Sequence, residues 1–474
     1  MRTLLKLLLL LGALLALAVF FVVTLRVGAP PTLEIRPSAK AIGVRTNVRV
    51  TAVAPGRGLL GLRVEVEQAG RTTVVARADG KPLPPWRFPA RGRTLELSAE
   101  VGRHAVPTLS DGEAVVRVVA ERAPTWLRHP DPVVAELKLP VLVRPPVLSL
   151  LSTQHYVAQG GAGVVVYRVS ETATRDGVRA GSWFFPGAPL PGATDGARFC
   201  LFGVPWDQAD ATGLRLLASD AAGNASEVAF VDRFFPRPPT RDRIELSDEF
   251  LNRVVPEIMS ATKDLPDKGD LVSNYLEINR ELRQSNAAEL VALAQRSAPR
   301  FLWQEPFLQL HNAKVMAAFA DQRTYVHAGS EIDHQTHLGY DLAVTARTPV
   351  PAANKGIVLL ARYFGIYGNT VVLDHGFGLM TIYSHLSAIQ AKEGQTLERG
   401  AILGLTGRTG LAGGDHLHFS TLVGGLPVTP AEWWDAHWIH DRVATRLGPA
   451  LVFEAAVATA APEPRRKHRH VRSR

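Results

Sequence analysis

Residues 413–420 read GGDHLHFS, a glycine pair followed by two histidines, His416 and His418, one residue apart. In a β-strand residues i and i+2 face the same side, so the two imidazoles project together while Leu417 and Phe419 turn to the core. Two imidazoles on one face suit a metal site, a proton-transfer pair, or one of each. The spacing alone also arises by chance, and the rest of the chain decides. Further outward, polar residues gather in two more places of a β-rich region. HQTHLGYDLAV holds His337 and Asp341 with three residues between them, Asp341 opening the apolar strand 342–344. TIYSHLS puts His385 at the end of a strand that begins near Leu379. Three histidines and a carboxylate from three separate segments can supply a tetrahedral site with a position left for water, the arrangement of catalytic rather than structural zinc. Neither HExxH nor GxSxG occurs, which excludes the helix-borne zinc protease and the serine hydrolase elbow.

A chain of 474 residues is too long for one ordinary core, and 46% apolar with 20% charged residues describes folded protein. The single cysteine, Cys200, excludes an intrachain disulfide and a cysteine-rich zinc site, and its setting in ARFCLFGV predicts a buried, inert thiol. Any metal is therefore held by histidine and carboxylate. The N-terminal run from Leu7 to Leu25 carries no charge between Lys6 and Arg26. At about 1.5 Å per residue it rises about 28 Å, enough to cross a hydrocarbon core and longer than the apolar core of a cleavable signal. With Arg2 and Lys6 ahead of it, the expectation is an uncleaved anchor with a cytoplasmic N-terminus and an exported body. The formal charge is +9, and six of the last ten residues, RRKHRHVRSR, are Lys or Arg. The excess thus lies in a tail expected to be solvated and disordered, with contact to anionic lipid or envelope polymer as the alternative. No nucleic-acid partner is expected behind a membrane anchor.

Between Pro30 and Pro145, runs such as NVRVTAV, LRVEVEQ and EAVVRVVAE are broken by Gly, Pro and Asp, with Leu62, Val64 and Val66 alternating against charged residues. This is the texture of a β-sandwich. PPVLSLLS opens a second such unit, whose ASDAAGNASEVAFV resembles the last hairpin of bacterial immunoglobulin-like domains. FFPRPPTRDR, residues 234–243, reads as a linker. Beyond it Ser247 is placed to cap a helix through Phe250, Leu251, Val254 and Val255, and Leu271 to Ala298 carries near-helical apolar spacing. These helices are expected to be a packing spacer or a lid. The expected fold is mainly β: anchor over 1–29, β-sandwich over 30–145, immunoglobulin-like β-sandwich over 146–236, helical collar over 243–300, a β-rich last domain over 301–445 and a basic tail over 446–474.

HLGYD, YGNTVVLDHGFGLMTIYSHLS, EGQTLERGAILGLTGRTG and HLHF follow one another in an order and spacing that resemble the M23 family of zinc metallopeptidases, the LytM or lysostaphin type. The likeness covers about residues 310–432, roughly a quarter of the chain. It implies a small antiparallel β-sheet cleft in which His337, Asp341 and His418 bind Zn2+, with His385 and His416 as catalytic neighbours of the metal. It also implies a hydrolase of peptide bonds in peptidoglycan stems or cross-links. Behind the anchor, such an enzyme is expected to be single-pass in the bacterial cytoplasmic membrane, with its catalytic domain in the periplasm or cell envelope. An alternative is a non-catalytic relative that activates cell-wall amidases, whose mark is decay of HxxxD or HxH; neither is decayed here. A third reading makes the sandwiches an adhesion or scaffold module with a peptidase attached. Some relatives are held latent by upstream segments, and the helices of 247–298 are placed for such a cover. His334 is set aside because the family frame puts the ligand directly before Leu-Gly-Tyr-Asp. His375 is expected at a turn or behind the ligands rather than on the metal, and His437 and His440 are expected to be structural. Asp415 and Ser420 depart from the proline and glutamate common in relatives and are expected to shape the cleft rather than carry the reaction.

Overall fold

The computed structural model describes residues 2–455 except 28, 85, 88–91 and 239, so residues 456–474 of the expected tail lie outside the described residues. The chain divides into two compact units: 1–148 with 169–176 and 217–227, and the remainder. The second expected sandwich is thus split between them.

The first unit opens with helix α1 (Arg2–Leu25). Over Thr3–Leu25 its mean hydropathy is 2.9, and it is long and apolar enough to cross a membrane. Next come two antiparallel sheets. One orders Thr32–Pro37, Asn47–Ala54 and Arg93–Glu100; the other orders Arg71–Asp79, Leu59–Gln68, Gly112–Arg122 and Val133–Val141. Strand period does the sorting: Val48, Val50 and Ala52 point inward while Asn47 and Arg49 face solvent. The inward set meets Leu62, Val64, Val66, Val116 and Val118 in one apolar core shared by both sheets.

In the second unit, Ala162–Val169 pairs antiparallel with Arg198–Gly203, which buries Phe199, Cys200 and Phe202. The Cys200 thiol is 1% exposed and contacts the Phe185 carbonyl at 3.2 Å. The stretch read as a linker is partly strand. Within it β1 (Arg241–Glu245) runs parallel to β3 (Asp321–His327), which pairs antiparallel with β4 (Ser330–His337). Only Ile244 of β1 is turned from solvent, so no apolar alternation announced the strand.

Helix α2 (Asp248–Ala261) starts at Ser247, whose hydroxyl accepts from the Phe250 amide at 3.1 Å, the expected cap. Helix α3 (Leu271–Glu277) runs through a π turn, Ile278–Leu282, into α4 (Arg283–Ala294). The turn aims the fully buried Asn279 at Asp333 of β4, to which its Nδ2 donates at 2.8 Å; Arg280 Nε donates to the same carboxylate at 2.9 Å. Leu251, Val254, Val255 and Ile258 of α2 join Tyr275, Ile278 and Leu282 in one core with Tyr325 of β3 and with Ile366. The helices are therefore built into the β-rich region and are not a spacer beside it.

That region centres on an eight-stranded antiparallel sheet. Its order runs β2 (Lys314–Ala317), β5 (Tyr340–Ala343), β9 (Leu417–Val423), β8 (Leu379–Leu386), β7 (Asn369–Gly376), β6 (Gly356–Tyr363) and Thr396–Leu397, with β10 (Leu426–Val428) also on β9. Helix α5 (Pro430–Trp434) follows, and its Glu432 accepts from the Ala162 amide at 2.8 Å. A side chain at Gly161 would meet that carboxylate at 2.4 Å and push it from the Ala162 amide. Packed chain continues beyond 445: Leu447 and Leu451 are 1% and 4% exposed.

Candidate active site

Register explains how distant residues meet. Asp341 of β5 lies opposite His418 of β9, and His418 lies opposite Ser384, the residue before His385 on β8. His337 ends β4 and reaches the same point from the neighbouring sheet. His337 Nε2, Asp341 Oδ1 and His418 Nδ1 form a triangle with sides of 3.0, 3.1 and 2.9 Å. Among the described residues these three are the one group of His, Cys, Asp or Glu side chains found close enough to share a metal ion.

The surrounding bonds give the outer nitrogen of each ring a partner of its own. His337 Nδ1 lies 2.9 Å from the Ala318 carbonyl, so it carries the hydrogen and leaves Nε2 a lone pair. Ser420 Oγ donates to the Leu338 carbonyl at 2.7 Å, which leaves it an acceptor for His418 Nε2–H at 3.0 Å. His418 Nδ1 then also faces the triangle with a lone pair. Three electron-pair donors about 3 Å apart, with no hydrogen between them, fit a cation and repel one another without it. A side chain at Gly339 would strike His418 and Ser420 at 2.5–2.6 Å, so the HxxxD loop closes over the ring only with glycine there.

Burial lowers His418 to about 4. The second oxygen of Asp341 accepts from Arg323 Nη2 of β3 at 2.9 Å. Neither Arg323 nor the part Ser420 plays in orienting His418 was visible in the local motif.

His385 and His416 stand beside the triangle with ring centres 4.9 Å apart. Each spends Nδ1–H on a carbonyl, His385 on Thr409 at 2.8 Å and His416 on Gly414 at 2.8 Å, so both present Nε2 to the cleft. Burial holds His385 well below its normal pKa, and His416 and His418 add to this. For His416 burial acts downward, but the Asp341 carboxylate, 3.5 Å from Nε2, outweighs it and raises the ring. His385 occupies a bulge where Ser384 and His385 both fall between the pairs Leu386–Asn369 and Tyr383–Val371, and its φ is +62°. These five side chains line a cavity of about 510 Å3 whose lining also includes Leu246, just ahead of α2, Phe250 of α2 and Tyr275 of α3.

The residues set aside in the sequence lie elsewhere. His334 is exposed and contacts Thr324 Oγ1 at 3.3 Å. His375 is fully buried on β7 between the Lys355 carbonyl and Thr381, and burial lowers it to about 4. His437 and His440 are exposed. Asp415 Oδ2 accepts from the Arg347 amide at 3.4 Å.

The sequence profile of Peptidase family M23 matches residues 335–430. This segment is an M23 peptidase domain. Over 92 residues the chain is 45% identical to the peptidoglycan DD-endopeptidase ShyA of Vibrio cholerae serotype O1, covering 19% of this chain and 21% of that one. Over 94 residues it is 39% identical to the DD-carboxypeptidase/endopeptidase Mpg of Neisseria meningitidis serogroup B, covering 20% and 22%. The chain thus spans about a fifth of the length of these curated relatives. Among solved structures, the catalytic domain of lysostaphin from Staphylococcus simulans is 27% identical, covering 26% of this chain and 92% of that one, with a TM-score of 0.23. The M23 match takes in all five site residues but begins after α2–α4, so the profile omits one wall of the cavity.

Proposed function

We propose that the protein is a membrane-anchored zinc metalloendopeptidase of the cell envelope that hydrolyses peptide bonds in peptidoglycan stem peptides or cross-links. The carrying observation is the triangle of His337, Asp341 and His418, in which each ring has a hydrogen-bond partner on the nitrogen turned away from the triangle. The names of the two relatives support the substrate class, and α1 supports the anchor. We read the β-units ahead of the M23 domain, including an immunoglobulin-like module over 146–236, as a spacer that carries it away from the membrane.

In this reading His337, Asp341 and His418 hold the zinc ion. When bound, zinc supplies Lewis acidity that acidifies water and polarises a carbonyl. Two neutral imidazoles and one carboxylate leave the centre one net positive charge. Arg323 holds the outer oxygen of Asp341, which keeps Oδ1 turned to the metal side. The Nε2 atoms of His385 and His416 are free to accept a proton from the attacking water; once protonated, a ring can donate to the negative substrate oxygen or return the proton to the leaving amine. Leu246, Phe250 and Tyr275 add apolar surface to the cavity that the imidazoles line.

The test is mass spectrometry of soluble fragments released from purified peptidoglycan by zinc-loaded protein, with His385→Ala alongside. Fragments cut within peptides by the parent and absent with the variant support the enzyme, and their masses name the bond. No release from zinc-replete parent protein would sink the catalytic reading and favour a regulator of amidases.

A further inference from the structure

Helix α2 grips the loop that leads into the HxH strand. Arg253 Nη1 donates to the Arg408 carbonyl at 3.2 Å and Nη2 to the Ala412 carbonyl at 2.5 Å. One helical turn on, Glu257 Oε1 accepts from the Gly410 amide at 2.8 Å and from the Tyr363 hydroxyl at 3.1 Å. From the other side the loop is pressed against 366–368. Leu411 donates to the Ile366 carbonyl at 2.9 Å, and a Cβ on Gly410, whose φ is +72°, would meet Gly368 N at 2.5 Å. Between the gripped groups sits Thr409, whose carbonyl receives the His385 Nδ1 hydrogen. Its hydroxyl accepts from the Asn369 amide at 2.9 Å and donates to the Leu386 carbonyl at 3.0 Å.

We infer that Arg253 and Glu257 are positioning residues: by clamping residues 408–412 they aim the Thr409 carbonyl at His385 and so fix which ring nitrogen of His385 faces the cleft. The inference deepens the peptidase reading and rests on it for the role of His385. The physical reason is that a neutral imidazole has two tautomers of similar energy, and the partner of one nitrogen selects between them. Among the described residues, that carbonyl is the one hydrogen-bond partner of the His385 side chain. Residues 408–412 lie between strands, so the direction of the Thr409 carbonyl depends on what holds that segment. The clamp comes from a helix outside the M23 match, so the cleft is completed by chain ahead of the domain.

The experiment uses the full chain in detergent with 15N-labelled histidine rings. Long-range proton–nitrogen spectra of the metal-free protein identify the His385 tautomer, assigned by loss of its signals in His385→Gln, and zinc content and steady-state kinetics are read on zinc-loaded portions of the same preparations. The expected result is an Nδ1–H tautomer in the parent and signals displaced toward the two-tautomer average in Glu257→Ala and in Arg253→Ala. kcat then falls about tenfold or more, with KM within about twofold and zinc content unchanged. Glu257→Gln keeps an acceptor for the Gly410 amide and is expected to recover most of the parent signal and rate. If the His385 signals of either alanine variant match the parent, the clamp is wrong. If they shift while the parent hydrolyses no peptide, the clamp stands and the peptidase reading falls. Should Glu257→Ala not fold, Arg253→Ala carries the same comparison.

Discussion

Replacing Glu432 by glutamine should remove a specific part of the pH dependence of stability. The carboxyl is 6% exposed, accepts from the Ala162 amide, and has Arg237 Nη2 at 3.4 Å from its other oxygen. Burial raises its pKa from 4.5 to about 7 against the pull of Arg237, the Ala162 amide and Arg442. A carboxyl whose pKa is higher folded than unfolded binds its proton more tightly in the native state. Its contribution is therefore greatest below the unfolded value and is lost as pH rises through the folded one. With those two values, stability from this group falls by about 2.5 kcal/mol between pH 5 and pH 8, most of it before pH 7. Glutamine keeps an oxygen for the Ala162 amide and has no proton to lose. Urea unfolding followed by tryptophan fluorescence, which senses Trp303 and Trp433 in this core, should show the parent losing ground to Glu432→Gln by that amount over the interval. Parallel pH profiles for the two proteins would refute the reasoning.

His337→Ala, Asp341→Asn and His418→Ala should each empty the dialysed protein of zinc by atomic absorption, whereas His385→Ala and His416→Ala should keep the metal and lose about 10²- to 10⁴-fold in kcat. Ser420→Ala leaves the His418 Nε2 hydrogen without its acceptor. Zinc affinity, measured by competition with a chromophoric chelator, should drop about 10- to 100-fold, and an unchanged affinity would show that the hydroxyl does not orient the ring. Ile258→Ala on α2 should cost about 2–5 kcal/mol because the side chain is fully buried in the core shared with Tyr325 and Ile366. For the same reason a chain beginning at Phe301 should lose cleft structure by hydrogen exchange; higher activity in that shortened chain would instead reinstate the helices as an inhibitory cover.

The site was legible where chemistry is local or strictly periodic. His416 and His418 announce themselves through the two-residue period of a strand, and His337 with Asp341 through a short loop whose glycine is itself visible. Ser247 marked its helix because a cap is a contact between residues three apart. What stayed hidden depends on pairs far apart in sequence. Arg323 reaches Asp341 across 18 positions, Ser420 reaches Leu338 across 82, and Arg253 reaches Ala412 across 159. The periodicity of α2–α4 gave helices and an apolar face but could not say that Tyr325 and Ile366 complete their core. Strand β1 escaped because a parallel edge strand with one inward residue carries almost no pattern, and its Pro- and Arg-rich approach reads as linker.

The left-handed backbone of His385 sets folding and chemistry at odds within a single torsion. For any residue but glycine that conformation costs on the order of 1 kcal/mol or more, and the bulge imposes it whichever side chain stands there. His385→Gly should therefore melt above His385→Ala, although both lack the imidazole. The two variants lose the same buried ring and the same bond to the Thr409 carbonyl, so the gap between their melting temperatures reads the cost of that torsion alone.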